Sequence, residues 1–188
     1  MYIFIGLGNP GKEYERTRHN TGKMAVEALA GGWGVSFEQN KVFNAQVVKH
    51  DGALLAIPNT YMNDSGSVVK VLKREYADAE LVVLYDDIDI PLGTVKCSFN
   101  RGAGGHNGVQ SIIDSLGTNE FFRIRIGVRP IDERLLPQIA PPTGFQDFLL
   151  SNFTPLEDEG LKEGITKAAA IAKFLLTHSR EETMNIYN

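Results

Sequence analysis

An α/β domain with a mixed β-sheet flanked by helices is the fold class this sequence predicts. Three observations predict it. Short apolar runs, Tyr2 to Ile5 and Leu81 to Tyr85, have the length and β-branched or aromatic content of buried strands. Segments with apolar residues at helical spacing lie between the strand runs. Strands alternating with helices along a chain build a sheet covered by helices. At 188 residues the chain suits one domain with a sizeable core, and no repeat or interdomain linker divides it.

The first strand ends at Gly6-Leu7-Gly8-Asn9-Pro10-Gly11, where glycine permits unusual backbone angles and proline stops a ladder. A charged crossing, Lys12 to Arg18, then delivers His19-Asn20 to the mouth of a helix over Thr21 to Ala30, with Gly31-Gly32 as its stop. Val42 to Lys49 and Ala53 to Ile57 read as a hairpin across His50-Asp51-Gly52. Ser65 to Tyr76 is a helix on the spacing of Val68, Val69, Leu72 and Tyr76. Leu81 to Tyr85 is a continuous apolar run, as in a central strand. Thr94 to Phe99 and Arg123 to Val128 are further strands, and Asn107 to Leu116 is a helix between them, with Val109, Ile112, Ile113 and Leu116 on one side. Pro130 to Gly144 is proline-rich and reads as an irregular surface loop. Thr154-Pro155-Leu156-Glu157 has the form of a capping box and opens a last helix, expected to run to about Ser179.

Composition narrows the function. Hydrophobic content of 43% and charged content of 22% are those of an ordinary globular protein. No apolar run approaches the roughly 20 residues of a membrane span, and the first strand begins where a signal peptide would lie. A single cysteine, Cys97, cannot form an intrachain disulfide, so a cytoplasmic setting is expected. The net charge of -4 does not suggest a nucleic-acid partner, but charge is unevenly spread: Lys96, Arg101, Arg123, Arg125 and Arg129 face only Asp114 and Glu120 within residues 92–130.

Four stretches carry candidate chemistry. Gly6-x-Gly8-x-x-Gly11 is formally a dinucleotide fingerprint, but such a fingerprint should open a helix directly, and Asn9-Pro10 interrupts it. An Asn closing the first strand and a His ten residues on suggest one site at a sheet edge. His19 at a helix mouth is expected to have a lowered pKa, which keeps the imidazole neutral and suits a general base. The carboxylates of Asp86, Asp87 and Asp89 could hold a metal, orient a histidine or simply make a turn before Pro91-Leu92-Gly93. Metal-ligand spacings such as HxxxH or HExxH are absent, and one aspartate accepting the second N–H of His19 is the more economical reading. Gly102-Ala103-Gly104-Gly105-His106-Asn107-Gly108 either caps a helix through Asn107 or lets a large ligand approach the backbone while the Asn amide contacts it. Tyr61-Met62-Asn63-Asp64-Ser65 bridges a strand and a helix, with Asn63 or Ser65 as a cap or Met62 beside a site. No GxSxG elbow is present, and Cys97 lies within a strand pattern, so activated water is preferred to a covalent intermediate.

Taken together, GLGNPGKEYERTRHNTG, PNTYMNDSG, YDDIDIPLG, GAGGHNG and RIRIGVRP, in this order, resemble the bacterial-type peptidyl-tRNA hydrolases over essentially the whole chain. The C-terminal QDFLLSNFTPLE matches as well. The resemblance implies a monomeric, metal-free single domain with a twisted mixed sheet, no cofactor and peptidyl-tRNA as partner. It implies hydrolysis of the ester joining a peptide to the terminal ribose of tRNA. Carried over by motif, His19 is the general base and Asp86 orients it. Asn9 and Asn107 position substrate, and Asn63 holds the peptide main chain with Met62 and Tyr61. Tyr14 and His106 complete the substrate-binding set. Lys96, Arg101 and Arg125 are the candidates for tRNA phosphates, held without base readout. The family usually has basic residues in the strand before the glycine run, where this chain has Ser98 and Asn100; Arg101 follows one step later. The loop Ile131 to Thr143 is longer and more proline-rich than the pattern. Two other readings are a non-catalytic RNA-binding protein on the same fold and a nucleotide-dependent enzyme using the glycine turn.

Overall fold

The computed structural model describes residues 1–130 and 144–188. Its centre is a seven-stranded sheet. In chain order the strands are β1 (Tyr2–Gly6), β2 (Glu38–Asn40), β3 (Ala45–His50), β4 (Ala53–Pro58), β5 (Glu80–Pro91), β6 (Val95–Phe99) and β7 (Phe122–Arg129). Across the sheet they run β2-β3-β4-β1-β5-β7-β6. The four inner strands β4, β1, β5 and β7 are parallel, and the pairs β2–β3, β3–β4 and β6–β7 are antiparallel. This is the mixed sheet the sequence predicts.

The period-two alternation of β1 divides the core. Phe4 packs on one face with Ala25, Val26 and Leu29 of α1 (Thr21–Trp33) and Ala168, Ile171 and Leu175 of α5 (Asp158–Leu175). Ile3 and Ile5 pack on the other face with Val68, Val69 and Leu72 of α2 (Ser65–Glu75) and Val109 and Ile112 of α3 (Asn107–Leu116). A short helix α4 (Gly144–Leu149) and a terminal helix α6 (Arg180–Tyr187) complete the described elements. The chain leaves β1 toward β4 on one side, whereas β5 leads to β7 on the other. That reversal opens a crevice at the carboxyl ends of β1 and β5, where open α/β sheets bind ligands.

Several boundaries differ from expectation, each for a physical reason. Helix α1 runs through Gly31-Gly32 to Trp33, which packs on the core, and stops at Gly34 with φ 68. Two mid-helix glycines cost about 1 kcal/mol each, but only a left-handed residue ends the helix. Val42 is 78% exposed, and β3 begins only at Ala45, after a turn in which the Phe43 N–H donates to Asn40 Oδ1 and Asn44 has φ 49. An additional strand, β2, pairs with β3. Strand β5 does not end at Tyr85: pairing with β7 carries it through Asp86↔Ile126 and Asp87↔Gly127 before the register shifts.

The N-cap of α3 is His106, not Asn107, which is the first helical residue. Helix α2 begins after Asp64 with no side-chain cap, and Ser65 Oγ donates to the Met62 carbonyl instead. Glu157 does reach back to the Thr154 N–H at 2.8 Å, one turn ahead of α5. The helix expected to end near Ser179 is α5, which stops at Leu175, and a further helix follows it, because the side chains of Ser179 and Glu182 form a reciprocal capping box that opens α6. Of the proline-rich stretch Pro130 to Gly144, residues 131–143 lie outside the described residues.

Candidate active site

The turn carrying His19 is built from a run of buried polar residues, Thr17-Arg18-His19-Asn20-Thr21. It seats there because Gly22 allows the start of α1 to press against the sheet, where a Cβ would collide with the Leu84 carbonyl oxygen. Arg18 is committed to the C-terminal segment. Its guanidinium donates to both carboxylate oxygens of Glu157 at 2.8 and 2.7 Å and to the Asn152 carbonyl at 2.6 Å, and it lies over the rings of Phe148 and Phe153. The His19 turn is thereby tied to the C-terminal segment.

Asp86, in the middle of β5 just past the end of its pairing with β1 and 2% exposed, is the centre of a three-residue cluster. His19 Nδ1 lies 2.9 Å from Asp86 Oδ1. His106 Nε2 lies 3.1 Å from the same oxygen. The Val109 N–H donates to His106 Nδ1 at 3.3 Å, which assigns the ring proton of His106 to Nε2, the donor toward Asp86. By the same logic His19 donates from Nδ1 to the carboxylate, and its Nε2 makes no hydrogen bond among the described residues. That is the arrangement of a base whose second nitrogen is held by an acid.

Electrostatics follow from this geometry. Burial works to lower the pKa of His19, but the charge of Asp86 and the hydrogen bond to it outweigh burial and raise it above the ordinary 6.5. The expectation of a lowered value is thus reversed: a buried carboxylate in contact exceeds any effect of a helix end. Burial pushes the Asp86 carboxyl up, while the charges of and hydrogen bonds from His19 and His106 pull it down further, to well below the usual carboxylate range. The side-chain ligand atoms of His19, Asp86 and His106 lie within 4.8 Å of one another, a spacing that could also hold a metal ion. A cation seated there would have to displace both ring protons directed at Asp86. Burial pushes the Cys97 thiol up to about 12, which leaves no thiolate nucleophile at neutral pH.

Asn9 follows β1 at the same sheet end. Its Oδ1 accepts the Met62 N–H at 2.8 Å, so the side-chain NH2 is left as a donor. Met62 is buried, with its sulfur beside Gly108 of α3. Tyr14 and Tyr61 meet edge to face with ring centroids 6.5 Å apart, and Tyr61 is 59% exposed. Asn63 and Asn107 are both exposed, on the turn into α2 and on the first turn of α3. The structure therefore joins His19 to Asp86 and His106, Asn9 to Met62, and Tyr14 to Tyr61. It leaves Asn63 and Asn107 without side-chain hydrogen bonds among the described residues.

A cavity of about 390 Å³ lies over the β5–β7 end, lined by Asp86, Asp87, Arg101, His106, Arg125 and Phe145 among others. A second, of about 260 Å³, is lined by Asn9, Lys12, Lys23 and Gln46 among others. Of the cations expected at phosphates, Arg125 donates from Nε to Asp87 Oδ2 at 2.8 Å. Lys96 is exposed and stands directly opposite Arg125 in the β6–β7 register, two like charges on one face. Arg101 is exposed, and its carbonyl, with that of Gly102, accepts from the fully buried Arg123.

Sequence reasoning assigned no role to Asn20, Arg18 or Arg123, which support the site. The available signal was the unbroken polar run from Thr17 to Thr21 at the entrance of an apolar helix, where outward-facing residues alone would not need five polar side chains in a row.

The fold and the His19–Asp86 contact define an α/β protein that carries a carboxylate-held histidine where the parallel core of its sheet opens into a crevice. Comparison with known proteins gives the family. The sequence profile described as Peptidyl-tRNA hydrolase matches residues 3–188. The chain is 42% identical over 195 residues to a peptidyl-tRNA hydrolase of Bacillus cereus, covering 100% of each. It is 38% identical to that of Bacillus subtilis, covering 100% of this chain and 98% of the relative. A crystal structure of peptidyl-tRNA hydrolase from Acinetobacter baumannii superposes with TM-score 0.85 at 29% identity, over 100% of this chain and 94% of that one. The chain belongs to the peptidyl-tRNA hydrolase family.

Proposed function

We propose that this chain hydrolyses the ester between a peptide and the terminal ribose of tRNA, with water activated by His19. The observation that carries this is the 2.9 Å contact from His19 Nδ1 to a buried Asp86, with Nε2 of the same ring free of partners among the described residues. Nε2 takes a proton from water as the water oxygen attacks the ester carbonyl. Asp86 steadies the imidazolium that forms. The side-chain amides of Asn9 and Asn107 donate to the oxygen on which negative charge develops. The carbon–oxygen bond to ribose then breaks, and the proton returns from His19 to the leaving hydroxyl. An ester is activated enough that general base catalysis, worth about 10²–10⁴-fold, with positioning makes a substantial rate.

Tyr14, Tyr61, Met62 and Asn63 form the peptide side of the site, and Lys96, Arg101 and Arg125 the tRNA-phosphate side. No step requires a metal or a cofactor, and the working unit is a monomer in the cytoplasm. No helix among the described residues is long and apolar enough to cross a membrane. The test is turnover of purified peptidyl-tRNA with and without a chelator, comparing the wild type with His19→Ala. Loss of activity in the variant by about 10²–10⁴-fold, and no loss with chelator, is the expected result. Equal rates in the two proteins would overturn the role of His19, and loss on chelation would overturn the metal-free route.

A further inference from the structure

His106 was expected among the residues that touch substrate, but its ring has no free nitrogen. Nδ1 accepts from the Val109 N–H at 3.3 Å and Nε2 donates to Asp86 Oδ1 at 3.1 Å. Its side chain is only 7% exposed. One edge of its surroundings is the Tyr85 ring at 4.8 Å, and another is the His19 ring, also at 4.8 Å. A side chain so enclosed reaches the chemistry through Asp86.

We propose that His106 is a positioning residue that shares Asp86 Oδ1 with His19 and so limits how strongly the carboxylate holds the catalytic imidazole. The proposal rests on the reading of His19 as the base. Two N–H donors converge on one oxygen of a buried carboxylate, at 2.9 and 3.1 Å, so each draws on charge the other would otherwise have alone. His106 is also the N-cap of α3, so its ring is fixed to the helix that presents Asn107. The same contact that orients Asp86 thus sets the position of an amide donor relative to the base.

The groups around His19 are few. From its own turn comes Arg18, committed to Glu157; from β5 come Asp86 and Tyr85; from α3 comes His106. Beyond Tyr85 lie Arg123 and Arg125, the latter paired with Asp87. Among the described residues, only His106 shares the oxygen that His19 uses. Removing its N–H leaves that oxygen to His19 alone, which favours the protonated imidazole.

The direct experiment is a nuclear magnetic resonance titration of the ring carbons of the four histidines, with His19 assigned from a His19→Ala sample. The expected result is that His106→Phe moves the His19 midpoint upward by about one pH unit, a tenfold change in proton affinity. His106→Gln, which can still donate an amide N–H to Asp86, should shift it less. The acid limb of the pH dependence of kcat/KM should move in the same sense. An unchanged His19 midpoint in a folded variant would overturn the proposal. So would a rise in KM with an unmoved acid limb, which would make His106 a substrate contact. Should His106→Phe fail to fold, the His106→Gln and His106→Asn titrations decide. No substrate enters the titration, so failure of the wild type to cleave peptidyl-tRNA would sink the proposed function while leaving this result standing.

Discussion

The side chain of Asn20 brackets the backbone of Asn9, accepting its N–H at 2.8 Å and donating to its carbonyl at 2.9 Å. Two bonds from one fully buried amide reproduce what a neighbouring strand would supply, just where β1 has run out of pairing partners. Asn20 follows His19 directly, so the residue that holds Asn9 is covalently joined to the proposed base. Asn9 in turn holds Met62 through its Oδ1. The loop after β1, the His19 turn and the turn into α2 are thus one connected unit.

For Asn20→Ala the expectation is a stability loss of about 1–3 kcal/mol, from two backbone groups left buried without partners. Activity should fall further than stability explains, because Asn9 loses its fixed direction. Urea unfolding and single-turnover rates at saturating substrate check this. A variant equally active and equally stable would show that Asn9 is held by other means.

For Asp86→Asn the pH dependence should shift. In the wild type the Asp86 charge holds the His19 pKa above its ordinary value, so activity should fall as pH drops through that raised value. Without the carboxylate charge only burial acts, which lowers the pKa, and the acid limb should move to lower pH. The maximum rate should drop as well, since an amide cannot stabilise the imidazolium as a carboxylate does. A pH–rate profile with an unmoved limb would remove Asp86 from its orienting role.

The same pair predicts a stability window. Asp86 has a depressed pKa, so its contribution is present above the unfolded value of 3.8 and is lost as pH falls toward its folded value. His19 has a raised pKa, so its contribution is full below 6.5 and is lost as pH rises through its folded value. The stability difference between wild type and Asp86→Asn should therefore be largest between these two pH values and narrower on either side. Denaturation midpoints from pH 3 to 9 would check it; a difference independent of pH would contradict the ion pair.

Arg125→Ala should weaken tRNA binding and reduce the salt slope by about 1, as for one phosphate contact. The Asp87–Arg125 contact uses only the Nε of the guanidinium, and Lys96 faces the same side, so an anion relieves the repulsion between the two cations. Affinity measured over a salt series distinguishes this from a structural role, which would change affinity without changing the slope.

Much of this protein was legible in its residues because the signals are local. Period-two and helical spacings placed most strands and helices, and five motifs in order pointed to the family. Boundaries failed where a distant partner decided them. The apolar run of β5 stops at Asp86, yet the strand continues because β7 supplies a partner, and that continuation sets Asp86 facing His19. Gly31-Gly32 reads as a stop, yet Trp33 has a core to pack on. Ser179 looked like the end of a helix and is the start of another, because a cap acts on residues that follow it.

The sequence by itself determined the alternation of elements, the family and the identity of His19, Asp86 and Asn9 as candidates, since each rests on residue type, order and spacing. Only the tertiary structure decided that one carboxylate oxygen serves two histidines, that His106 is spent within the protein, and that the pKa of His19 lies above its ordinary value rather than below. Those outcomes depend on distances of about 3 Å between groups 20 and 67 residues apart in the chain. Electrostatic and hydrogen-bond energies change steeply over that range, and spacing along a sequence carries no such distance.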